Sequence, residues 1–241
     1  MKIFRKIRQN LMKKGKVTNY IFYALGEILL VMIGILLALQ VNNWNEKRNK
    51  NKQLNNILTT ISLDLAIDTL AAGQVIDFYE KNTESSLRII NKEITMENYK
   101  ECPSCPSLVT IYRPMPIQKK GYELLKNFTN DEAVKNDTLV TNIIQFYSAL
   151  ITLVEDSNNF VKNEVLHNIE DFKSKEWFVN WTQAQFNEDM IRYFAESEDY
   201  RKRVAAHNLL ASNNHLRNVK VYKANAEEVL SLIEERLSAS D

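Results

Sequence analysis

An uninterrupted apolar segment near the N-terminus constrains this chain more than any other feature. From Tyr20 to Val41 it runs 22 residues with one charged side chain, Glu27. At 1.5 Å per residue such a helix is roughly 33 Å long, enough to cross a bilayer core of about 30 Å. The sequence therefore predicts a transmembrane helix at residues 20–41, with the lipid bilayer as its first partner. No later apolar stretch approaches the length of a second transmembrane helix.

The charges around this segment predict its orientation. Residues 1–19 carry seven basic side chains and no acidic one, whereas four basic side chains lie in residues 42–53. This bias predicts a cytoplasmic N-terminus and a body outside the cytoplasm. Residues 2–14 also place apolar side chains at helical spacing between basic ones, which is typical of an amphipathic helix on an anionic leaflet. The basic leader and the apolar run are both too long for a cleaved signal peptide.

The body beyond the segment is mildly acidic. Residues 42–241 hold 24 basic and 29 acidic side chains, a net charge of −5. Nucleic-acid binding is therefore not expected, because phosphate backbones attract basic surfaces.

Small residues on the apolar segment predict contact with another helix. Gly34 and Ala38 are spaced for close helix packing, and Gly26 lies two turns earlier. Glu27 shares this side, either to pair with a basic residue of another subunit or bind a proton, or to extend toward the cytoplasmic interface. The interfacial anchors are expected to be Tyr20 at one end and Trp44 at the other.

The residues around this segment resemble a known signature. Residues 23–46, YALGEILLVMIGILLALQVNNWNE, are similar to the N-terminal region of an uncharacterised family of single-span proteins in Gram-negative bacteria. Residues 120–125 and 135–139 resemble later family positions more weakly. The resemblance implies a bacterial inner-membrane anchor and a helical body in the periplasm, and it supplies no activity because the family is a domain of unknown function.

The spacing of apolar residues in the body predicts long helices. Residues 42–53 form an asparagine-rich juxtamembrane segment, and a heptad seam then begins at Leu54 and continues to Tyr79, with Asp68 as its one polar member. This helix is expected to end near Asn91. A second seam from Val140 to Phe172 predicts one helix of about 35 residues, with Asn158 inside the seam.

The loop at residues 93–116 contains all four prolines. Residues 107–112 are expected to extend there as a short strand. Cys102 and Cys105 lie in the same loop, as Cys-Pro-Ser-Cys. A structural disulfide is favoured in an oxidising compartment, while free thiols and a redox site remain as alternatives. A zinc site is not expected, because too few ligands accompany the two cysteines.

Shorter signals place the remaining elements. A short helix is expected at residues 117–128, followed by a capping box at 129–132 and a second one formed by Thr182 and Gln185. Ser197 is expected to start the last helix, whose buried stripe comprises Leu209, Leu216, Val219, Ala226, Leu230, Ile233 and Leu237. His207 and His215 are assigned to its polar face.

Aromatic residues are densest at Trp177, Phe178 and Trp181. They could lie at the outer membrane interface, form a docking patch, or pack into a corner between helices. These three alternatives predict different exposures of the rings.

Together these patterns predict an all-α protein. One transmembrane helix is followed by an extracytoplasmic antiparallel bundle, residues 54–241, of three long helices and one or two short ones. The expected function is that of a membrane-anchored, non-enzymatic interaction or scaffold protein that forms a homo-oligomer or binds another membrane protein. The alternative is a ligand-sensing subunit that signals through a membrane partner. No nucleophile–base pair, metal set, cofactor motif or phosphate loop points to an enzyme.

Overall fold

The computed structural model describes residues 17–128 and 136–239, and all regular structure in these ranges is helical, with no β-strand. The prediction of an all-α chain is confirmed. The amphipathic segment expected at 2–14 and the capping box expected at 129–132 lie outside the described residues. The helices, in chain order, are α1 (Val17–Ile90), α2 (Lys120–Phe128), α3 (Thr138–Phe172), α4 (Phe178–Thr182), α5 (Glu188–Glu196), α6 (Glu198–Leu210) and α7 (Arg217–Ser238), with a π-helical segment Ala211–Leu216 joining α6 to α7.

The chain divides into two units, which meet in sequence between Leu54 and Asn55. In the first unit, the described residues all belong to α1. The second unit contains the rest of α1 and every later element. The two units are described separately below.

The heptad seam of α1 is buried along its whole length. Its eight members are between 0 and 5% exposed, namely Leu54, Leu58, Ile61, Leu65, Asp68, Ala72, Val75 and Tyr79. Alternating spacings of four and three residues keep one side of a helix toward the core, so the predicted seam is confirmed. The helix ends at Ile90, where Lys92 has a φ of 60° and the Glu93 amide donates to the Arg88 carbonyl at 2.8 Å. This left-handed residue closes the last turn.

The helix α3 has the 35 residues that its seam predicted. Asp137 caps its start, since the carboxylate accepts hydrogen bonds from the amides of Leu139 at 3.0 Å and Val140 at 3.3 Å. Near this end Asp137 also meets Arg236 of α7 at 3.1 Å, while further along Asn218 donates to the Leu153 carbonyl at 3.3 Å. These two contacts show that α3 and α7 run antiparallel.

The short elements differ in several places from the expectation. Residues 107–112 form no strand, because a 3₁₀ turn at Cys105–Ser107 and further turns occupy the start of that stretch. The helix α2 begins at Lys120, three residues later than predicted. Thr182 ends α4 rather than capping a helix, and its hydroxyl donates to the Val179 carbonyl at 2.7 Å. The cap of α5 is Asn187, whose side chain accepts from the Met190 amide at 2.9 Å.

The last helical region begins as predicted but is not one regular α-helix. The Ser197 hydroxyl caps α6 by accepting from the Tyr200 amide. After Leu210 the π-helical segment inserts a wider turn, which rotates the following side chains relative to a regular 3.6-residue repeat. Leu209, which precedes this segment, is 58% exposed and so does not share a buried stripe with Leu216. Within α7, Leu230 and Leu237 are only half-buried. The residues of α7 that are buried instead include Tyr222 and Val229.

Candidate functional site

The apolar segment of the first unit is exposed along its length. Its large apolar side chains from Ile21 to Val41 are 50–72% exposed. By length and composition alone, two helical stretches among the described residues could cross a membrane, Ala24–Ile90 of α1 and all of α3. The expectation of a single candidate was therefore too narrow. None of the 18 most apolar residues of the first stretch is buried, whereas 28% of the corresponding residues of α3 are. The buried side of α3 forms part of the core of the second unit.

The small residues of this segment are open to a neighbour. A Cβ added at Gly26 or Gly34 would meet no atom within 4 Å, and Ala38 is exposed. At 100° per residue, Glu27, Gly34 and Ala38 fall within about 40° of one another, while Gly26 lies about 80° from Gly34. Three of the four predicted contact residues thus share a narrow face, and Gly26 borders it. Glu27 is half-buried.

Of the two predicted interfacial anchors, the structure describes the side chain of Trp44. The Trp44 ring is 65% exposed, with the Arg48 guanidinium 5.9 Å from its centroid. Tyr20 lies within α1, and its side chain is outside the described residues. An exposed indole next to a guanidinium suits the headgroup region of a bilayer.

In the loop between α1 and α2, Cys102 and Cys105 form a disulfide. Both are buried, at 2 and 0% exposure, inside a core cluster that includes Ile89 and Phe172. The Tyr200 hydroxyl donates to the Cys105 carbonyl. This pairing is the one that the sequence favoured, and burial on all sides makes it a structural link rather than an accessible redox centre.

The aromatic residues proposed for docking pack against that same cluster. The ring of Trp177 lies 5.4 Å from Phe172 and 5.3 Å from Phe194, centroid to centroid. The indole of Trp181 donates from Nε1 to the Pro106 carbonyl at 3.0 Å, and the tilted Phe178 ring lies 5.8 Å from it. All three are partly buried. These contacts match the third alternative, a packed corner between helices.

Two buried carboxylates connect α1 to the start of α2. Asp64 accepts from the Gly121 amide at 2.7 Å, and Asp68 accepts from the Gln118 amide at 3.0 Å. Amides at a helix start lack partners within the helix, so Asp64 caps α2 from a different helix, while Asp68 binds the backbone that leads into it. A Cβ on Gly121 would lie 2.5–2.9 Å from atoms of Ile61, including its backbone, which explains the glycine.

The same acid pair lies beside a group of tyrosines. The Tyr222 hydroxyl donates to Asp68 at 2.5 Å, and the Tyr122 and Tyr147 rings stack at 4.8 Å. Burial raises the pKa of Asp68 to about 6, although the hydrogen bond from Tyr222 opposes the shift. Burial also raises the pKa of Tyr147, and the charges of Asp68 and Asp64 raise it further. Sequence reasoning recorded Asp68 only as the polar member of a seam; two acids four residues apart in an otherwise uncharged stretch were the signal.

The two histidines assigned to a polar face are buried instead, so that prediction was wrong. His207 is 2% and His215 0% exposed. The Ser157 hydroxyl is 2.9 Å from Nδ1 of His215, and the Tyr79 ring meets the imidazole edge-on at 5.2 Å. Burial lowers the pKa of both histidines to about 4. A contact between each imidazole and the loop backbone opposes this shift but is the smaller effect. The π-helical segment turns His215 toward α3, whereas His207 lies on the side of α6 that already buries Tyr200 and Val204.

An open cleft of about 520 Å³ lies between the start of α3 and the end of α7, lined by Asp137, Asn142, Leu232 and Arg236 among others. Within residues 17–128 and 136–239, no group of three or more His, Cys, Asp or Glu side chains is placed to hold a metal ion. Asn158, expected in the α3 seam, bonds both the amide and the carbonyl of Met115 at 2.9 Å.

The arrangement thus consists of an exposed apolar helix with a small-residue face in one unit, and a packed helical bundle with buried polar links in the other. Comparisons with protein-family models, with curated proteins and with solved structures gave no match.

Proposed function

We propose that this chain is a membrane-anchored, non-enzymatic helical interaction or scaffold protein. The anchor is the apolar segment at residues 20–41, the N-terminus is cytoplasmic, and the body lies in the periplasm of a bacterial inner membrane. Its partner is a second copy or another membrane protein. The observation that carries the proposal is that fourteen large apolar side chains of α1, from Ile21 to Val41, are each at least half exposed.

The exposure of this segment supports a lipid environment. Contiguous apolar surface of this size is costly in water, at about 25 cal/mol for each Å². A helix satisfies its own backbone hydrogen bonds, which is what the bilayer core requires. The α3 helix passes the same test of composition, but its buried apolar side chains pack within the second unit.

Two independent features support the proposed orientation. Seven basic side chains precede the segment and four follow it closely, as expected for a cytoplasmic N-terminus. The Cys102–Cys105 disulfide lies in the body, and disulfides persist in oxidising compartments such as the periplasm.

A binding role is favoured because the buried acids and Ser157 are engaged in structural contacts. Asp64 caps α2, Asp68 binds the Gln118 amide just before that helix, and Ser157 pairs with His215. Arg203 of α6 joins Asn168 at 3.1 Å to Asp171 at 2.6 Å. On the membrane segment, the face of Glu27, Gly34 and Ala38 is the surface that we assign to helix–helix contact.

The anchor is tested by fractionation of the full chain with two matched double variants. Leu30→Arg with Leu37→Arg places two charges in the segment, at about 2.5–3.5 kcal/mol each for insertion. We expect this variant to leave the membrane fraction. Leu166→Arg with Leu209→Arg alters two leucines of similar exposure, 51 and 58%, in the second unit, and should stay membrane-bound. Equal behaviour of the two variants would contradict the anchor.

Orientation is tested with a reporter enzyme fused at the C-terminus that is active only outside the cytoplasm. Activity is expected for the intact chain. A reporter active only in the cytoplasm would overturn the proposed topology, even if the chain remained in the membrane fraction.

A further inference from the structure

The outward face of α1 in the second unit carries no charge over a long distance. From Asn55 to Ile76 the sequence contains no Lys, Arg or Glu. Its two acids, Asp64 and Asp68, are 8 and 0% exposed. About six turns of helix therefore present only neutral side chains to the outside. Solvated helices ordinarily carry charges on this face, and depletion of charge marks the centre of protein interfaces.

Within this face lies a stripe of large apolar residues, Leu63, Ile67 and Leu70, which are 62, 55 and 69% exposed. Their spacings of four and three residues are those of a helix that packs along another helix. Leu70 is nine residues from Ile61 of the core seam, which is about 180° around the helix. The stripe is thus a second seam on the opposite side from the core.

We infer that a second copy of this chain covers this stripe, with the two α1 helices side by side in parallel. A two-fold contact brings each residue near its own counterpart, so a face without charge meets itself without like-charge repulsion. Ala66 is exposed and lies about 40° around the helix from Leu70, where a small side chain allows close approach. A neutral face offers a distinct charged partner no complementary charge.

This inference rests on the proposed function in one respect. Copies anchored in one membrane with the same orientation are held at high effective concentration, with their α1 helices parallel. A stripe of three large residues can then pair, although it would be too small for a stable dimer between freely diffusing chains.

The test uses the full chain in its membrane, with single cysteines introduced at Leu63, Ile67 or Leu70 and a thiol-specific crosslinker. The native cysteines are bridged and buried, so they do not react. We expect dimers at twice the chain mass from these three sites. Cysteines at Leu153 and Leu166, both 51% exposed on α3, are the matched controls and should crosslink at least tenfold less.

A second variant separates pairing from folding. Ile67→Glu in the Leu63→Cys background should reduce dimer formation at least tenfold without lowering the melting temperature, because residue 67 is exposed. Leu166→Glu in the same background should leave the dimer unchanged. Equal crosslinking at stripe and control sites, no dimer, or an adduct of a different mass would each overturn the inference. If the chain stays in the membrane fraction in those cases, the proposed anchor still stands.

Discussion

The contact between Gly121 and Ile61 gives the sharpest prediction about stability. Gly121→Ala places a methyl group 2.5 Å from Cγ1 of Ile61 and 2.8 and 2.9 Å from its backbone N and Cα. A side chain could rotate away, but the backbone of a buried helix cannot. The substitution must therefore push α2 away from α1.

The size of the effect follows from two opposing contributions. Alanine in place of glycine normally stabilises a helix by up to about 1 kcal/mol. Overpacking costs about 1–3 kcal/mol, and stretching the 2.7 Å hydrogen bond from the Gly121 amide to Asp64 costs about 1–3 kcal/mol more. We expect a net loss of about 3 kcal/mol. For a body of this size, that lowers the melting temperature by about 6–12 °C.

The measurement is thermal unfolding of the full chain in detergent, followed by near-ultraviolet circular dichroism. Gly73→Ala is the matched control, because a Cβ at Gly73 of α1 meets no atom within 4 Å. This control should raise the melting temperature by about 2–4 °C through helix propensity alone. If Gly121→Ala melts at or above the wild-type temperature, the close approach of α2 to α1 is wrong.

Three further predictions concern buried groups. Burial raises the pKa of Asp68 from 3.8 to about 6, so its contribution to stability is full below pH 3.8 and falls by about 3 kcal/mol as pH rises through 6. Asp68→Asn should remove this pH dependence, which urea unfolding at pH 3.5 and 7 measures. If the unfolding free energy changes equally between the two pH values in the wild type and the variant, the prediction is contradicted. Burial lowers the pKa of His207 and His215 from 6.5 to about 4, so the unfolded chain binds protons first and each histidine costs about 3 kcal/mol as pH falls from 6.5 to 4. His207→Asn should make that acid loss shallower, whereas an unaltered slope would argue against a neutral buried imidazole. Replacing Cys102 and Cys105 together by alanine should cost about 2 kcal/mol, because the cysteines are only three residues apart and their loop is short. In the intact protein, reductant followed by maleimide should label these thiols only after urea is added, and rapid labelling without urea would show that the disulfide is accessible.

Periodicity predicted the long helices because burial on one side is a property of the sequence itself. All eight seam positions from Leu54 to Tyr79 are buried, and α3 has the predicted length. Asp68 is one of those eight, and the pattern could not reveal that it binds the Gln118 amide fifty residues later in the chain. Such a partner depends on how the chain returns on itself, which local spacing does not record.

The errors have identifiable local causes. The π-helical segment Ala211–Leu216 changes the repeat, so a regular stripe placed Leu209 inside and His215 outside. The aromatic cluster around Trp177 allowed three alternatives, because composition alone does not say which rings face a core. The residues assigned to helix–helix contact in the membrane segment stay a prediction from the sequence.

The capping of α2 by Asp64, and the hydrogen bond of Asp68 just before that helix, have a consequence for the order in which the chain acquires structure. A nine-residue helix is too short to persist by itself in water. Its first turn is completed by a carboxylate 57 residues upstream, and a second carboxylate binds Gln118 just before it, so we expect the segment to become helical only after α1 has formed. During synthesis α1 emerges first and serves as the template on which α2 winds, and a peptide limited to residues 117–128 should be largely unstructured.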